Sequence, residues 1–411
     1  MGRFAHIADV HLGFQKRAAL KEVEQSVFCN FVERCISEQV DFVLLCGDFF
    51  HVNIPDMNTC KFAFSQLVLL RNAQIPVYAV YGSHDFSPNS PSIIDLLHVA
   101  GLIRKVVVQK EGEGISLGFV ADPKTGAKIA GLPGLKAGRD VDFYRELHIG
   151  NDAGFKIFLF HGAISELVDD VHTDNMPLSY LPPGFDYYAG GHLHKYDHGK
   201  FEDYPHVVYP GTPFCGYHND LEHNARGTRR GFVIVDFDSE VTRVDFVEIK
   251  SAEYEIVDVD CNKKSAISVH TELCKGIGRL SPQDKIIILK LAGELSEGKT
   301  ADVDTGSIRE SLMQAGALDV LVHKSQMTSK EYKMTTVAGD NRSEIAHNIF
   351  FENADQVRYG RRELEGEAGV SLAERLLDTV KSPKIDNEKD GDYRSRIVGS
   401  ALHTMEIGDD S

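Results

Sequence analysis

Residues 3–11 read RFAHIADVH. A mostly apolar run, Arg3–Ala8, is the length of a short strand and ends at once in Asp9-Val10-His11. Working outward, the same pattern recurs. Asp41–Cys46 runs into Gly47-Asp48, and Pro76–Tyr81 into Gly82-Ser83-His84-Asp85. Lys156–Phe160 runs into His161-Gly162, and Asp186–Ala189 into Gly190-Gly191-His192-Leu193-His194. Val207–Tyr209 reads as a sixth strand. Helical patterns lie between the early strands. In Glu22–Ile36, Val23, Val27, Phe28, Phe31, Val32 and Ile36 recur near a 3.6 period. A second helix is read with Ser90 as N-cap, Pro91 in its first turn and Gly101 as terminator. Strand–helix alternation predicts an α/β fold whose sheet is covered on both faces.

The chemistry sits at the strand ends. In open α/β sheets ligands bind beyond the carboxyl ends of the strands, so polar groups placed there converge although they are far apart in sequence. Neighbouring glycines permit tight turns and close backbone approach. Carboxylates and imidazoles without thiolate suit Mn²⁺, Fe²⁺ or Zn²⁺. The supply exceeds one ion, and two ions bridged by a carboxylate, at the ~3.5–4 Å spacing of two-metal hydrolases, is the economical solution. With 18 histidines in the chain, a single strand-end His would be ordinary. Five such motifs in order, each after an apolar strand, are not.

Composition sets the outer bounds. At 411 residues two domains are expected, and the 42% hydrophobic and 26% charged fractions are those of a globular protein. No apolar run approaches the ~20 residues of a membrane span, and the N-terminus lacks a secretory apolar core, so an intracellular location (cytoplasm or nucleoid) and no membrane partner are expected. The seven cysteines form no C-x-x-C pair, which fits a reducing compartment. A net charge of −17 opposes indiscriminate nucleic-acid binding. Local basic clusters offset it: Arg226, Arg229 and Arg230; Arg104, Lys105 and Lys110; and Lys136 with Arg139. Facing the crevice, they would follow phosphates.

Gly231–Asp236 and Thr242–Glu248 read as a hairpin closing a first domain, residues 1–250. A new cycle follows over residues 251–330: strand Tyr254–Asp260, helix Ala266–Gly276, strand Lys285–Leu291, helix Ser307–Ala315 and strand Asp319–His323. In the tail, 331–411, helical pieces near Glu344–Phe351 and Ser371–Val380 stand among polar sequence, with Ser382–Tyr393 as a linker. No P-loop and no Ser/His/Asp arrangement competes with the strand-end set.

The ordered set D-x-H, G-D, G-x-H-D, H and G-H-x-H resembles the calcineurin-like metallophosphoesterase signature. GDFFHVNIP (47–55), IPVYAVYGSHD (75–85), SPSIIDLLHVAGL (90–102), FDYYAGGHLHK (185–195) and VVYPGTP (207–213) resemble the nuclease subunit of SbcD-like DNA double-strand-break repair nuclease–ATPase complexes. The resemblance is specific over 1–250, architectural over 251–330 and weak in the tail. It implies a β-sandwich flanked by helices, a small α/β capping domain and a helical C-terminal tail. It implies two Mn²⁺ per chain, with Mg²⁺, Fe²⁺ or Zn²⁺ as alternatives. Asp9, His11 and His194 would hold the first, Asp48 would bridge, and His161 and His192 would hold the second. His84 would stabilise the transition state or assist the leaving 3′-oxygen, Asp85 would orient it, and His51 would lie near the scissile strand. The family has Asn where this chain has Ser83. A hydroxyl reaches less far than an amide, so a weaker second metal site is expected. The implied partners are DNA (duplex ends and single strands), a second copy of the chain, and an SMC-like ABC-type ATPase bound through the C-terminal helical region. Ser371–Val380, with Leu372, Leu376, Leu377 and Val380, is the candidate contact for the ATPase. The helical face Asn58–Leu70, with Phe62, Phe64, Leu67 and Leu70, is either a candidate dimer face or an ordinary core-facing helix. The activity implied is 3′→5′ exonuclease on duplex ends and endonuclease on single strands. A small-molecule or nucleotide phosphodiesterase would share every metal ligand. A DNA-end-binding scaffold with a weakened site is supported only by Ser83.

Overall fold

The computed structural model describes residues 1–86, 91–106, 108–111, 114–134, 147–149, 153–168, 175–214, 217–329, 342–356, 366–385 and 388–405. Two compact units result: Met1–Val257 with Arg279–Leu289 and Arg309–Val322, and Asp258–Gly278 with Lys290–Ile308 and His323–Ser411.

The first unit is a sandwich of two six-stranded sheets. One runs in the order Val241–Glu248, Gly231–Phe237, Gly2–Ile7, Phe42–Cys46, Val77–Val80, Arg104–Lys105. The other runs Asp197–Phe201, Tyr204–Tyr209, Tyr187–Gly191, Lys156–His161, Lys128–Gly131, Val120–Ala121. The motif-bearing strands pair in parallel: Gly2–Ile7 with Phe42–Cys46 and on to Val77–Val80, and Lys156–His161 with Tyr187–Gly191. Their carboxyl ends therefore share one edge of the sandwich.

Alternation along a strand sends successive side chains to opposite faces. Phe4, Phe42, Leu44, Tyr78 and Val80 meet Ile129, Ile157, Leu159, Tyr187 and Ala189 between the sheets. Ala5, Ile7, Val43, Leu45 and Ala79 face outward, under Val27, Phe28, Phe31 and Val32 of helix Ala18–Ser37 and Leu67 and Leu70 of helix Met57–Asn72. Strands covered on both faces must be apolar throughout, which explains the unbroken run FVLLC. Buried His6 is the polar exception. Its Nδ1 lies 3.0 Å from the Tyr187 hydroxyl and its Nε2 3.2 Å from the Gly190 carbonyl, linking the sheets. Burial pushes its pKa down to about 3, so it is neutral.

Three readings need correction. Helix Ile93–Val99 is capped by Ser92, not Ser90: the Ser92 hydroxyl accepts from Ile94 N–H at 3.0 Å, and Asp95 accepts from Ser92 N–H at 3.0 Å. Ser92 with Asp95 satisfies two N–H groups reciprocally, and Pro91 precedes the cap; Ser90 itself lies outside the described residues. The face Phe62, Phe64, Leu67, Leu70 is not a free surface. Leu67 and Leu70 are core, and Phe62 and Phe64 pack against it. The segment Ser382–Tyr393 is not wholly linker, because helix Asp390–Thr404 begins inside it. There Arg396 pairs with Glu388 at 2.8 Å.

Beyond the hairpin, Glu253–Asp260, Lys285–Leu295 and Asp319–Ser329 form a three-stranded sheet in that order, connected by helices Ala266–Ile277 and Thr305–Gln314. In the second unit, helices Arg342–Gln356, Gly366–Val380 and Asp390–Thr404 follow, the middle one packing on both others. Leu372, Leu376 and Leu377 are half-buried there, and Val380 is exposed. Among the described residues no helix is long and apolar enough to cross a membrane.

Candidate metal centre

The strand ends do converge. Asp9, His11 and His194 bring one ligating atom each within 4.8 Å of one another, and so do Asp9, Asp48 and His161. Asp9 belongs to both groups, and Asp48 also spans them. Its Oδ2 lies 3.3 Å from His161 Nε2 and 3.8 Å from His11 Nε2. His11 Nε2 is 3.2 Å from His194 Nε2. A third group, His11, His51 and His84, adjoins these.

The backbone is bent to make this possible. Asp9, His11, Asp48 and His192 have φ of +53°, +49°, +49° and +96°, half of the eight positive-φ non-glycine residues among the described residues. Such conformations cost of order 1–3 kcal/mol each and persist where the surroundings fix them. Here the fixing bonds are visible. Asp9 N–H donates to Gly47 O at 3.1 Å, His11 N–H to Asp48 O at 2.9 Å, and His192 N–H to the Asp9 carboxylate at 2.9 Å. Gly47 and Gly82 are sterically required: a Cβ at either would lie 2.3 Å from His161 Nδ1 or 2.1 Å from Asp48 Oδ1.

The donor set fits divalent cations. The His161 Nε2 is buried and lacks a hydrogen-bond partner, while its Nδ1 is held by the Cys46 carbonyl at 2.9 Å. One ring nitrogen fixed by a carbonyl and the other aimed at carboxylates is how ligating histidines are oriented. The charges ask for a cation as well. Burial would push His161 down, but Asp48 and then Asp9 override it and hold the imidazole protonated, up to about 10. Burial likewise opposes ionisation of Asp48, yet His161 and His11 hold it well below the usual carboxylate range. Burial lifts Asp9 to about 6 against the opposing pull of His161 and His194. Without metal, a proton on His161 partly neutralises the acid pair; a bound ion would displace it.

Behind His194 stands a second layer that sequence reasoning missed. His194 Nδ1 is 2.8 Å from Asp220 Oδ2, and Asp220 Oδ1 is 3.2 Å from the Arg230 guanidinium. Arg230 also donates to Asn224 Oδ1 at 2.5 Å and to the His194 carbonyl. Asp220 and Arg230 are buried. Truncating an outer-shell partner of this kind costs about 10- to 100-fold in metal affinity. Asp220→Ala is expected to weaken Mn²⁺ binding by that factor in a calorimetric titration; unchanged affinity would show that His194 needs no such support.

The remaining candidates are placed as follows. His84 donates its backbone N–H to Asp48 Oδ1 at 2.8 Å, and its Nδ1 meets the His51 carbonyl at 2.8 Å. His51 stacks on His84 with ring centroids 4.9 Å apart. Asp85 does not orient the His84 ring. Its buried carboxylate accepts from the N–H groups of Phe49, Phe50 and Gly82 at 3.0–3.1 Å, so it shapes the loop beneath. His192 joins neither ligand group; its exposed ring lies 5.3 Å from that of His161. Ser83 is half-buried between Gly82 and His84. Tyr217, which sequence analysis passed over, stacks on His194 at 5.6 Å and places its hydroxyl 3.3 Å from His84 Nε2.

Residues 2–196 match the calcineurin-like phosphoesterase family. Over that span, just under half of its length, the chain is similar to the calcineurin-like phosphoesterases. Similarity to individual proteins extends further, over as much as 70% of the chain. The chain is 28% identical over 311 residues to the DNA double-strand break repair protein Mre11 of Archaeoglobus fulgidus, covering 70% of this chain and 68% of that protein. It is 27% identical over 284 residues to the protein of the same name from Methanocaldococcus jannaschii, covering 66% and 74%. It is 27% identical over 222 residues to the uncharacterized metallophosphoesterase YhaO of Bacillus subtilis, covering 51% and 52%.

The basic residues around the phosphoesterase site divide. Arg230 is not a surface contact, since its guanidinium is spent on Asp220 and His194. Arg104 does not face the crevice. Its guanidinium is 3.3 Å from the Tyr78 hydroxyl, and it lines a 410 Å³ cavity with Asp41, Ile75 and Pro76, at the start of strands whose other ends carry the ligands. Lys105 is tied to Asp95 at 2.5 Å and to the Tyr81 hydroxyl at 3.0 Å. Arg229 pairs with Glu248 at 2.8 Å, and Arg226 is exposed. Lys136 and Arg139, and the side chain of Lys110, lie outside the described residues.

Proposed function

We propose that this phosphoesterase is a DNA nuclease that processes DNA ends in double-strand-break repair. The convergence of Asp9, His11, Asp48, His161 and His194 into two overlapping ligand groups carries the reading. The similarity to the archaeal repair proteins over about two thirds of the chain supplies the substrate. The donor set fits two Mn²⁺ ions: Asp9, His11 and His194 would hold one, and Asp48 and His161 the other, with His192 and Ser83, which stand outside both groups in the structure, as its further proposed ligands. Bound there, they would supply Lewis acidity to the scissile phosphate and to an attacking water. The chain's own residues do the rest. Asp48 orients His161, the His51 carbonyl accepts the Nδ1–H of His84, and the imidazolium form of His84 would donate its Nε2 proton to the leaving oxygen and become neutral.

The finer assignments are 3′→5′ exonuclease action on duplex ends, endonuclease action on single strands, and work with an SMC-like ATPase. Docking on that ATPase is assigned to the helices over 342–405. A homodimer would use the exposed Met57, Leu96 and Val99 rather than the core face of helix Met57–Asn72. Ser83→Asn is expected to tighten binding of the weaker Mn²⁺; identical titrations for both proteins would remove Ser83 from the ligand set.

The deciding experiment incubates 3′-labelled linear duplex DNA with the purified chain in Mn²⁺, Mg²⁺ or EDTA, with and without the partner ATPase. Mononucleotide release that requires Mn²⁺ is expected. Full activity in EDTA, or none under any condition, would overturn the reading in favour of a scaffold.

A further inference from the structure

Aromatic rings gather beside the histidines of the ligand cluster. Phe14 lies edge-on to His51 at 4.5 Å and 5.2 Å from Tyr217. Tyr217 in turn stacks on His194 at 5.6 Å, with the planes 24° apart, and lies 5.9 Å from His11. Yet Tyr217 is 40% exposed and Phe14 is only half-buried. Among the described residues neither ring is part of the buried apolar core. The Tyr217 hydroxyl reaches His84 Nε2 at 3.3 Å, so its ring lies along the path a substrate takes to that atom. Lys16, whose ammonium donates to the Gly13 carbonyl at 2.9 Å, adds a cation beside the same loop.

An exposed aromatic ring beside a phosphate-processing centre has a specific use. Every nucleobase offers a π-face, and stacking on an aromatic side chain holds it without reading its identity. We infer that Tyr217, backed by Phe14, is the base-stacking wall of this site, which therefore selects phosphodiesters of nucleotides with an unpaired base over phosphodiesters that carry none. The inference rests on the nuclease reading and adds the determinant of substrate class. A stacked base places the phosphate toward the ligand cluster and brings the leaving oxygen to His84. The Tyr217 hydroxyl is then displaced from Nε2 as substrate enters.

The test compares thymidine 5′-(p-nitrophenyl phosphate) with methyl p-nitrophenyl phosphate in Mn²⁺, for the full chain, Tyr217→Leu and Tyr217→Phe. Stacking of this strength corresponds to about a tenfold effect. Tyr217→Leu is expected to lower kcat/KM for the thymidine ester about tenfold relative to the methyl ester, mainly through KM, while Tyr217→Phe keeps the ratio within about twofold. Equal losses on both esters, or a Tyr217→Phe as impaired as Tyr217→Leu, would overturn the stacking role and leave the nuclease reading intact. A parent chain that hydrolyses neither ester would overturn the nuclease reading. Calorimetric binding of thymidine 5′-monophosphate then judges the wall by itself: weaker binding in Tyr217→Leu supports it, and equal binding removes it.

Discussion

Asp48→Ala abolishes metal binding and hydrolysis together. The carboxylate meets the His84 N–H at 2.8 Å, lies 3.3 Å from His161 and 3.8 Å from His11, and is 2% exposed. Removing one partner of a buried charged pair costs about 3–5 kcal/mol, here taken from the affinity for the ions that replace the proton on His161. At about 4 kcal/mol the apparent Mn²⁺ affinity falls roughly a thousandfold. Calorimetry with Mn²⁺ and hydrolysis of bis(p-nitrophenyl) phosphate read the two losses. Asp48→Asn is the control for folding, because its amide oxygen still accepts the His84 N–H while the charge is gone; it should fail to bind metal as well. Tight Mn²⁺ binding in either variant would place the metal ligands elsewhere.

His84→Ala separates binding from turnover. The His84 backbone N–H donates to Asp48, whereas its side chain bonds the His51 carbonyl through Nδ1. With Nδ1 committed to the His51 carbonyl, Nε2 is the atom free to exchange a proton at the crevice. General acid catalysis contributes about 10²–10⁴ in rate. The variant should therefore lose at least about a hundredfold in kcat while Mn²⁺ affinity stays within about twofold. Equal losses in affinity and rate would make His84 a ligand, a role its place beside His11 and His51 leaves geometrically open.

The sequence was legible where the local pattern and the fold demand the same thing. Strands covered on both faces are apolar throughout, so FVLLC and its neighbours announce themselves, and parallel pairing puts whatever follows them at one edge. That is why Asp9, His11, Asp48, His161 and His194 could be named together from the chain alone. The β-α-β-α-β cycle was legible for the same reason, although its strands Lys285–Leu295 and Asp319–Ser329 run further than the apolar residues do. The short strands Arg104–Lys105 and Val120–Ala121 left no pattern, because two residues have no period.

What the sequence by itself determined is an α/β fold with metal-type ligands at the strand ends. Only tertiary structure decided which groups hold those ligands in place. Asp85 stands next to His84 in sequence, yet its carboxylate turns away to three backbone N–H groups, and the His51 carbonyl does the orienting. Arg230 reads as a surface cation and is instead buried behind His194 through Asp220. Tyr217 carries no motif and still stands over the site. The reason is physical. A strand end fixes where a side chain starts, but its hydrogen-bond partner is whatever unpaired donor or acceptor the packed fold brings within about 3 Å, and that is set by neighbours hundreds of residues away as readily as by the next one.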